Sequence, residues 1–463
     1  MALIRLTNNN DVQSYFNSDD DVIFAYDGDD DVFTGGTGND RVSAGSGNDT
    51  ITAGDGNDSL YGGAGNDSLI GGVGNDLLRG HGNDDTLFGG AGVDVLDGEF
   101  GDDELHGGFD NDSLYGDTGS DILYGDSGAD YLSGEDGNDF LIGGSESDTV
   151  SGGEGNDRIM VSSGSFRFDA NGNYTGYVQF QESSTNVAYG DGGDDSIYGS
   201  QGNDTLIGGE GSDFIFTGWT LNNGKAYGNE GDDTLWGGRG DDTLVSGEDN
   251  DLIEAYDGND KLFGGSGDDT LDGGVGNDTL FGDEGADEMR GGDGSDTISG
   301  GADNDTLYGD DDNDRLYGDY GDDYLSGGSG NDVFYGGAGN DVLLLGTGAD
   351  RAYGEGGDDM FTNQVDGEND FLLGLDGSDT LEGGDWQDFL SGGTGADTFI
   401  FSSNAGGRVA DYERGTDTLL FQSLSFDDLT LDVRSSYTIV ERDAAEDVLI
   451  LGYTDLTEDD FSF

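Results

Sequence analysis

Aspartate returns at every ninth residue through most of this chain. It occupies Asp40, Asp49, Asp58, Asp67, Asp76, Asp85, Asp94, Asp103, Asp112, Asp121, Asp130, Asp139, Asp148 and Asp157, and then Asp195, Asp204 and Asp213. A long run follows at Asp233, Asp242, Asp251, Asp260, Asp269, Asp278, Asp287, Asp296, Asp305, Asp314, Asp323, Asp332, Asp341, Asp350 and Asp359, and the last set is Asp370, Asp379, Asp388 and Asp397. A carboxylate can act as acid, base, nucleophile or ligand for a hard cation, and repetition discriminates between these uses. Acid–base chemistry needs one special pair; here acids are paired everywhere, so pairing carries no catalytic information. His81 and His106 are the only histidines, cysteine is absent, and no His-Glu-x-x-His occurs. Both histidines fall at turn or strand positions of the repeat, where a surface role is the simpler reading. The chain is therefore expected not to be an enzyme, and oxygen ligands at constant spacing point to divalent cations.

The elements that must position these acids follow from the repeat itself. Gly62-Gly63-Ala64-Gly65-Asn66-Asp67-Ser68-Leu69-Ile70 is followed at once by Gly71-Gly72-Val73-Gly74-Asn75-Asp76-Leu77-Leu78-Arg79. The last three residues of each unit predict one rung of a stacked sheet, with the middle residue (Leu60, Leu69, Leu78) inward and its neighbours outward. The first six residues must then reverse the chain. Glycine at positions one, two and four, and Asn or Asp at position five, allow backbone conformations closed to other residues. Two units close one coil, and successive coils stack at about 4.8 Å. That stacking brings Asp40 beside Asp58 and Asp49 beside Asp67, and columns of carboxylates so close need a counter-charge. Glycine-rich bends also expose main-chain carbonyls. Carboxylate and carbonyl oxygens together suit calcium better than magnesium, which wants a tighter octahedron with retained waters.

Composition agrees. Acidic residues outnumber basic ones 102 to 15 for a formal charge of −87, which makes nucleic acid and anionic membranes poor partners. The 463 residues are only 32% hydrophobic and include 93 glycines, too lean for ordinary globular domains but sufficient for a thin, continuous core. The absence of cysteine leaves metal as the natural staple of a secreted fold. Proline is also absent, as an all-strand stack requires. No stretch approaches a membrane span, and the start, Met1-Ala2-Leu3-Ile4-Arg5-Leu6-Thr7, lacks the apolar run of a signal peptide.

Along the chain, residues 1–25 read as an N-terminal cap and 26–160 as a first block of repeats. Residues 161–186 break the phase, and alternating flanks around Asn171-Gly172 suggest an inserted hairpin or loop. A second block covers 187–401, with interruptions near 217–227 and 360–369. Residues 402–463 read as a C-terminal cap of short strands.

The array resembles the repeats-in-toxin (RTX) nonapeptide, Gly-Gly-x-Gly-x-Asp-x-aliphatic-x, over roughly residues 26–401. The resemblance implies an all-β fold: an elongated, right-handed parallel β-roll, a solenoid with a short N-terminal cap and a β-rich C-terminal cap. It implies calcium between successive turns, with the aspartates above and turn carbonyls such as those of Gly62, Gly63 and Gly65 as ligands. Pairs two units apart within blocks give roughly 28 ions or more. Asn83, Asp110 and Glu146 replace the fourth-position glycine, which puts binding at their turns in question. The resemblance also implies folding outside the cell after passage through a type I secretion system. Thr457-Glu458-Asp459-Asp460-Phe461-Ser462-Phe463 is similar to uncleaved signals of that pathway.

Outward ninth positions form columns. One reads Thr52, Ile70, Phe88, His106, Tyr124, Ile142 and Met160; a later one reads Val245, Phe263, Phe281, Ser299, Tyr317, Tyr335 and Tyr353. Such stripes either strengthen the sheet by cross-rung packing or offer a surface for self-association or cell-surface and polysaccharide contact. The expected function is a secreted calcium-binding structural component of a surface layer, matrix or adhesive. The alternatives are an accessory module for a separate exoenzyme and an extracellular calcium buffer.

Overall fold

A computed structural model describes residues 3–14, 19–162, 165–168, 174–178, 184–219, 221–384, 387–401, 407–422, 429–433, 437–442, 448–451, 456 and 460–462. The fold is an all-β parallel solenoid of about 21 turns. No α-helix occurs among the described residues, and thus none long and apolar enough to cross a membrane. The chain forms two compact units, Met1–Thr243 and Leu244–Phe463.

In the first unit, successive repeats alternate between two parallel sheets. Arg41–Ser46, Ser59–Ala64 and Leu77–Gly82 lie in one, and Thr50–Asp55, Ser68–Val73 and Thr86–Ala91 in the other. Leu60 pairs with Leu78 and Leu69 with Leu87, so each aliphatic residue stacks on its counterpart one coil away. Leu60, Leu69, Leu78 and Leu87 are completely buried, and together they form the thin core the repeat calls for. The rungs are longer than the three residues expected. Most span six, as in Ser59–Ala64, because the first-position glycine stays extended and buried beside the aliphatic residue. The chain bends at the second position instead, where Gly63 has φ 124°. Pairing resumes at the bend, Gly63 with His81 and Ala64 with Gly82, so only the residues around the Gly-Asn-Asp corner are left as turn.

The coil starts earlier than residue 26. Leu3–Arg5 pairs in parallel with Val22–Asp27, and Val12–Ser14 with Asp31–Phe33. At the insert, Thr149 pairs directly with Val187 and Arg158 with Ser196, so the extra residues loop out and replace no coil. Within them Ser165–Phe168 and Tyr174–Val178 form an antiparallel pair; the Asn171-Gly172 turn lies outside the described residues. Further on, Thr205 pairs with Lys225, and the stack absorbs that interruption in the same way.

The second unit repeats the pattern, with Lys261–Ser266 pairing with Thr279–Glu284 and Thr270–Val275 with Glu288–Asp293. Its stack ends differently. Thr398–Phe401 pairs with Thr418–Phe421, which in turn pairs with Phe461–Ser462. The other sheet passes from Gly407–Val409 to Val448–Leu451, and then turns antiparallel through Tyr437–Arg442 and Leu429–Val433. Thr457, Glu458 and Asp459 of the signal-like ending lie outside the described residues.

Candidate metal sites

The six-residue rung carries each sixth-position aspartate to the edge of the core. There its side chain folds back beneath the turn, and the ladder members are at most 6% exposed. Each reaches one coil back along the stack: the N–H of Asp58 donates to Oδ1 of Asp76 at 2.7 Å, and the N–H of Asp67 to Oδ1 of Asp85 at 2.7 Å. The expected columns are thus hydrogen-bonded ladders in which a carboxylate accepts the main-chain N–H of the aspartate one coil back.

The second carboxylate oxygen is the informative one. From Asp49 to Asp139, and again from Asp287 to Asp359, the buried Oδ2 of every ladder aspartate accepts no hydrogen bond. Leaving a buried charged acceptor unpaired costs on the order of 1–3 kcal/mol or more, so a repeated orphan marks a seat for something else. The surroundings are shaped for it. Oδ2 of Asp67 lies over Gly62, where an added Cβ would come within 2.3 Å of it and 2.9 Å of the Gly80 carbonyl from the next coil. Gly63 and Gly65, at φ 124° and 125°, press against the carbonyls of Gly45 and Gly47. First-position glycine thus makes room for the carboxylate, while those at positions two and four let carbonyls approach closely. Among the described residues no three His, Cys, Asp or Glu side chains are placed to hold a metal ion by themselves, so an ion here needs main-chain oxygens as well.

The electrostatics point the same way. Burial pushes the carboxyls of Asp58 and Asp67 up to about 7, against the bonded N–H groups of Asp40 and Asp49. Asp85 and Asp112 reach about 8, chiefly through burial, with further repulsion from the carboxylates one coil away on either side. Such a ladder holds its full negative charge at neutral pH only beside positive charge. A calcium ion bound between turns would supply that charge, held by Oδ2 atoms and by carbonyls of the glycine-rich bends. The donor set, all oxygen and partly carboxylate, fits.

Within the first unit the ladder does not break into separate blocks. The N–H of Asp157 donates to Asp195 across the insert at 2.7 Å, and that of Asp213 to Asp233 at 2.7 Å. Asn83, Asp110 and Glu146 keep the turn intact by adopting φ of 77°, 74° and 81°. Oδ2 of both Asp85 and Asp112, in the turns of Asn83 and Asp110, remains an orphan. Several ladder members lie off the nine-residue phase. Asp21 bonds to Asp40, Asp30 to Asp49, and Asp397 to Asp417. Asn186 fills the place after Asp148, and Gly224 the place before Asp242. Asp27-Gly28-Asp29-Asp30 reads as a degenerate repeat unit and signals Asp30 in the sequence; the others are hidden by coils with extra residues.

The outward columns are settled on themselves. His106 stacks between Phe88 and Tyr124, with ring centroids 4.8 and 4.5 Å away. Tyr335 stacks between Tyr317 and Tyr353 at 5.0 and 5.1 Å, with planes within 9° of parallel. Ring faces in these ladders meet the next coil, which is the cross-rung packing reading.

No curated protein matches the chain. The family described as the RTX calcium-binding nonapeptide repeat does: overlapping matches cover residues 17–165, 183–219, 223–362 and 365–399. The stacked aspartates, glycine bends and inward aliphatic residues are the parts of that repeat in three dimensions, and the chain belongs to this family as a calcium-binding RTX β-roll protein.

Proposed function

We propose that this β-roll is a secreted, non-enzymatic structural protein that becomes rigid when it meets extracellular calcium and serves in a surface layer, matrix or adhesive. The observation that supports this reading is the pair of long runs of buried, unpaired Oδ2 atoms, from Asp49 to Asp139 and from Asp287 to Asp359. Extracellular calcium modules bind at roughly 0.1–1 mM, so a ladder of that affinity stays loose inside a cell and sets outside. A loose chain is also what a type I exporter can pass. Circular dichroism with and without millimolar calcium, followed by electron microscopy of the calcium form, tests the proposal. Sheet signal that depends on calcium, with ordered assemblies or binding to cell-surface glycans, supports it. A stoichiometric complex with a secreted enzyme would favour the accessory role instead, and turnover by the pure chain would overturn the non-enzymatic reading.

A further inference from the structure

In two turns, one in each compact unit, donors of the chain itself meet the oxygen that regular turns leave orphaned. In the first unit Asn186 stands where the register calls for a ladder aspartate. Its Oδ1 accepts the N–H of Asp148 at 2.9 Å, and its own N–H donates to Oδ1 of Asp204 at 2.8 Å. Oδ2 of Asp204 is not an orphan: it accepts the N–H of Ser200 at 2.6 Å and the Ser200 hydroxyl at 2.8 Å. The Asn186 amide donates in turn to Ser200 Oγ at 3.3 Å. Asn186, Ser200 and Asp204 are at most 4% exposed, so this network lies in the interior.

In the second unit Asn363 takes the place of the first-position glycine at the interruption before Asp370. Its Nδ2 donates to Oδ2 of Asp370 at 2.7 Å and reaches Oδ2 of Asp388 at 3.3 Å. Those aspartates are consecutive ladder members, since the N–H of Asp370 donates to Oδ1 of Asp388. A primary amide has two N–H donors, and here they span the two carboxylates that a regular turn leaves unbridged.

We propose that these two turns are sealed without a metal ion, a neutral amide or hydroxyl donor of the chain standing where regular turns seat calcium. The proposal rests on the calcium reading of the regular turns. It gives each compact unit a rung whose carboxylate, Asp204 or Asp370, has both oxygens satisfied before any ion arrives. Ordering by calcium then extends an existing coil, which avoids the unfavourable closure of a first one.

Hydrogen exchange on the full chain, in chelator and in millimolar calcium, tests this. In chelator the amides of Asn186, Ser200 and Asp370 are expected to exchange at least about tenfold more slowly than those of Asp58, Asp76 and Asp94. Asn363→Ala should abolish the slow exchange near Asp370 without adding a bound ion. Asn363→Asp should abolish it and increase the calcium bound per chain, counted by atomic emission. Equal exchange at both sets of amides in chelator would overturn the proposal, as would Asn363→Asp and Asn363→Ala variants that both keep the protection. Full protection of Asp58, Asp76 and Asp94 in chelator is a different failure: it removes the calcium reading itself, and the proposal with it.

Discussion

Residues 41–160 and the described strands of the closing segment, from Gly407–Val409 to Phe461–Ser462, are both sheet, but they are held together differently. The first stretch buries one aliphatic residue per repeat, among them Leu60, Leu69, Leu78 and Leu87, and places a carboxylate beside each. The second buries Val409, Tyr412, Leu419, Phe421, Val448, Ile450 and Phe461 within a few dozen residues. Its strands turn antiparallel, and Arg414 pairs with the buried Asp460 at 2.8 Å. Apolar burial at roughly 25 cal/mol per Å2 favours the closing segment from its own sequence. In the array the same term is diluted by glycine and opposed by the charge ladder, so its cohesion depends on what neutralises the aspartates.

The contrast can be broken most completely by removing calcium. Chelation should abolish most of the sheet signal, with amides of the 41–160 array losing protection before those of Gly407–Val409 and Val448–Leu451; hydrogen exchange resolves the order. Core truncation comes next. In the calcium form Leu69→Ala should cost about 2–5 kcal/mol by denaturant unfolding, because the site has neighbours stacked along the coil and little freedom to collapse. Gly63→Val should cost about 1–2 kcal/mol, since a β-branched residue is forced to positive φ against the Gly45 carbonyl. Gly63→Asn should cost less, as Asp117 holds the same column at φ 70°.

Acid sharpens the comparison more gently. Ladder carboxyls raised from 3.8 to about 6 at Asp94, 7 at Asp67 and 8 at Asp85 favour the protonated, metal-free fold. Because the folded values lie above the unfolded ones, that contribution is complete below about pH 4 and is lost as pH rises through 6 to 8. Calcium-free protein should therefore gain sheet on acidification, while calcium-loaded protein should release its ions only at lower pH, because a bound cation holds the carboxylates ionised. Circular dichroism against pH, with and without chelator, reads both. The smallest effect expected is that of Tyr335→Ser, about 0.5–1 kcal/mol from lost ring stacking. Thermal unfolding measures it, and a change in assembly without a change in stability would instead restore the contact-surface reading of that column.

The aspartate phase and the inward aliphatic residues were legible because each repeat states them again, and that redundancy places Asp58 under Asp40 without further information. The six-residue rungs were not, because glycine at position one looks like a turn former yet stays extended, and only position two bends. Asn186 and Asp417 were invisible for another reason. The register steps by 38 and 20 residues at those places, and no local pattern says how much chain a coil will loop out. Ser200 and Asn363 look like simple departures from glycine until their donors are seen to meet Asp204, Asp370 and Asp388.

One feature of the stack constrains how such a chain can change length. Neighbouring repeats face opposite sheets, and like meets like only at the next repeat but one, as Leu60 meets Leu78. Losing a single nonapeptide would transpose everything downstream, moving the His106 and Tyr124 column to the opposite side and pairing it with strangers. Losing two in tandem would merely shorten the stack. Duplication and deletion in this gene are therefore tolerated by parity, in even numbers of repeats, and any looped-out excess must be absorbed within a single coil.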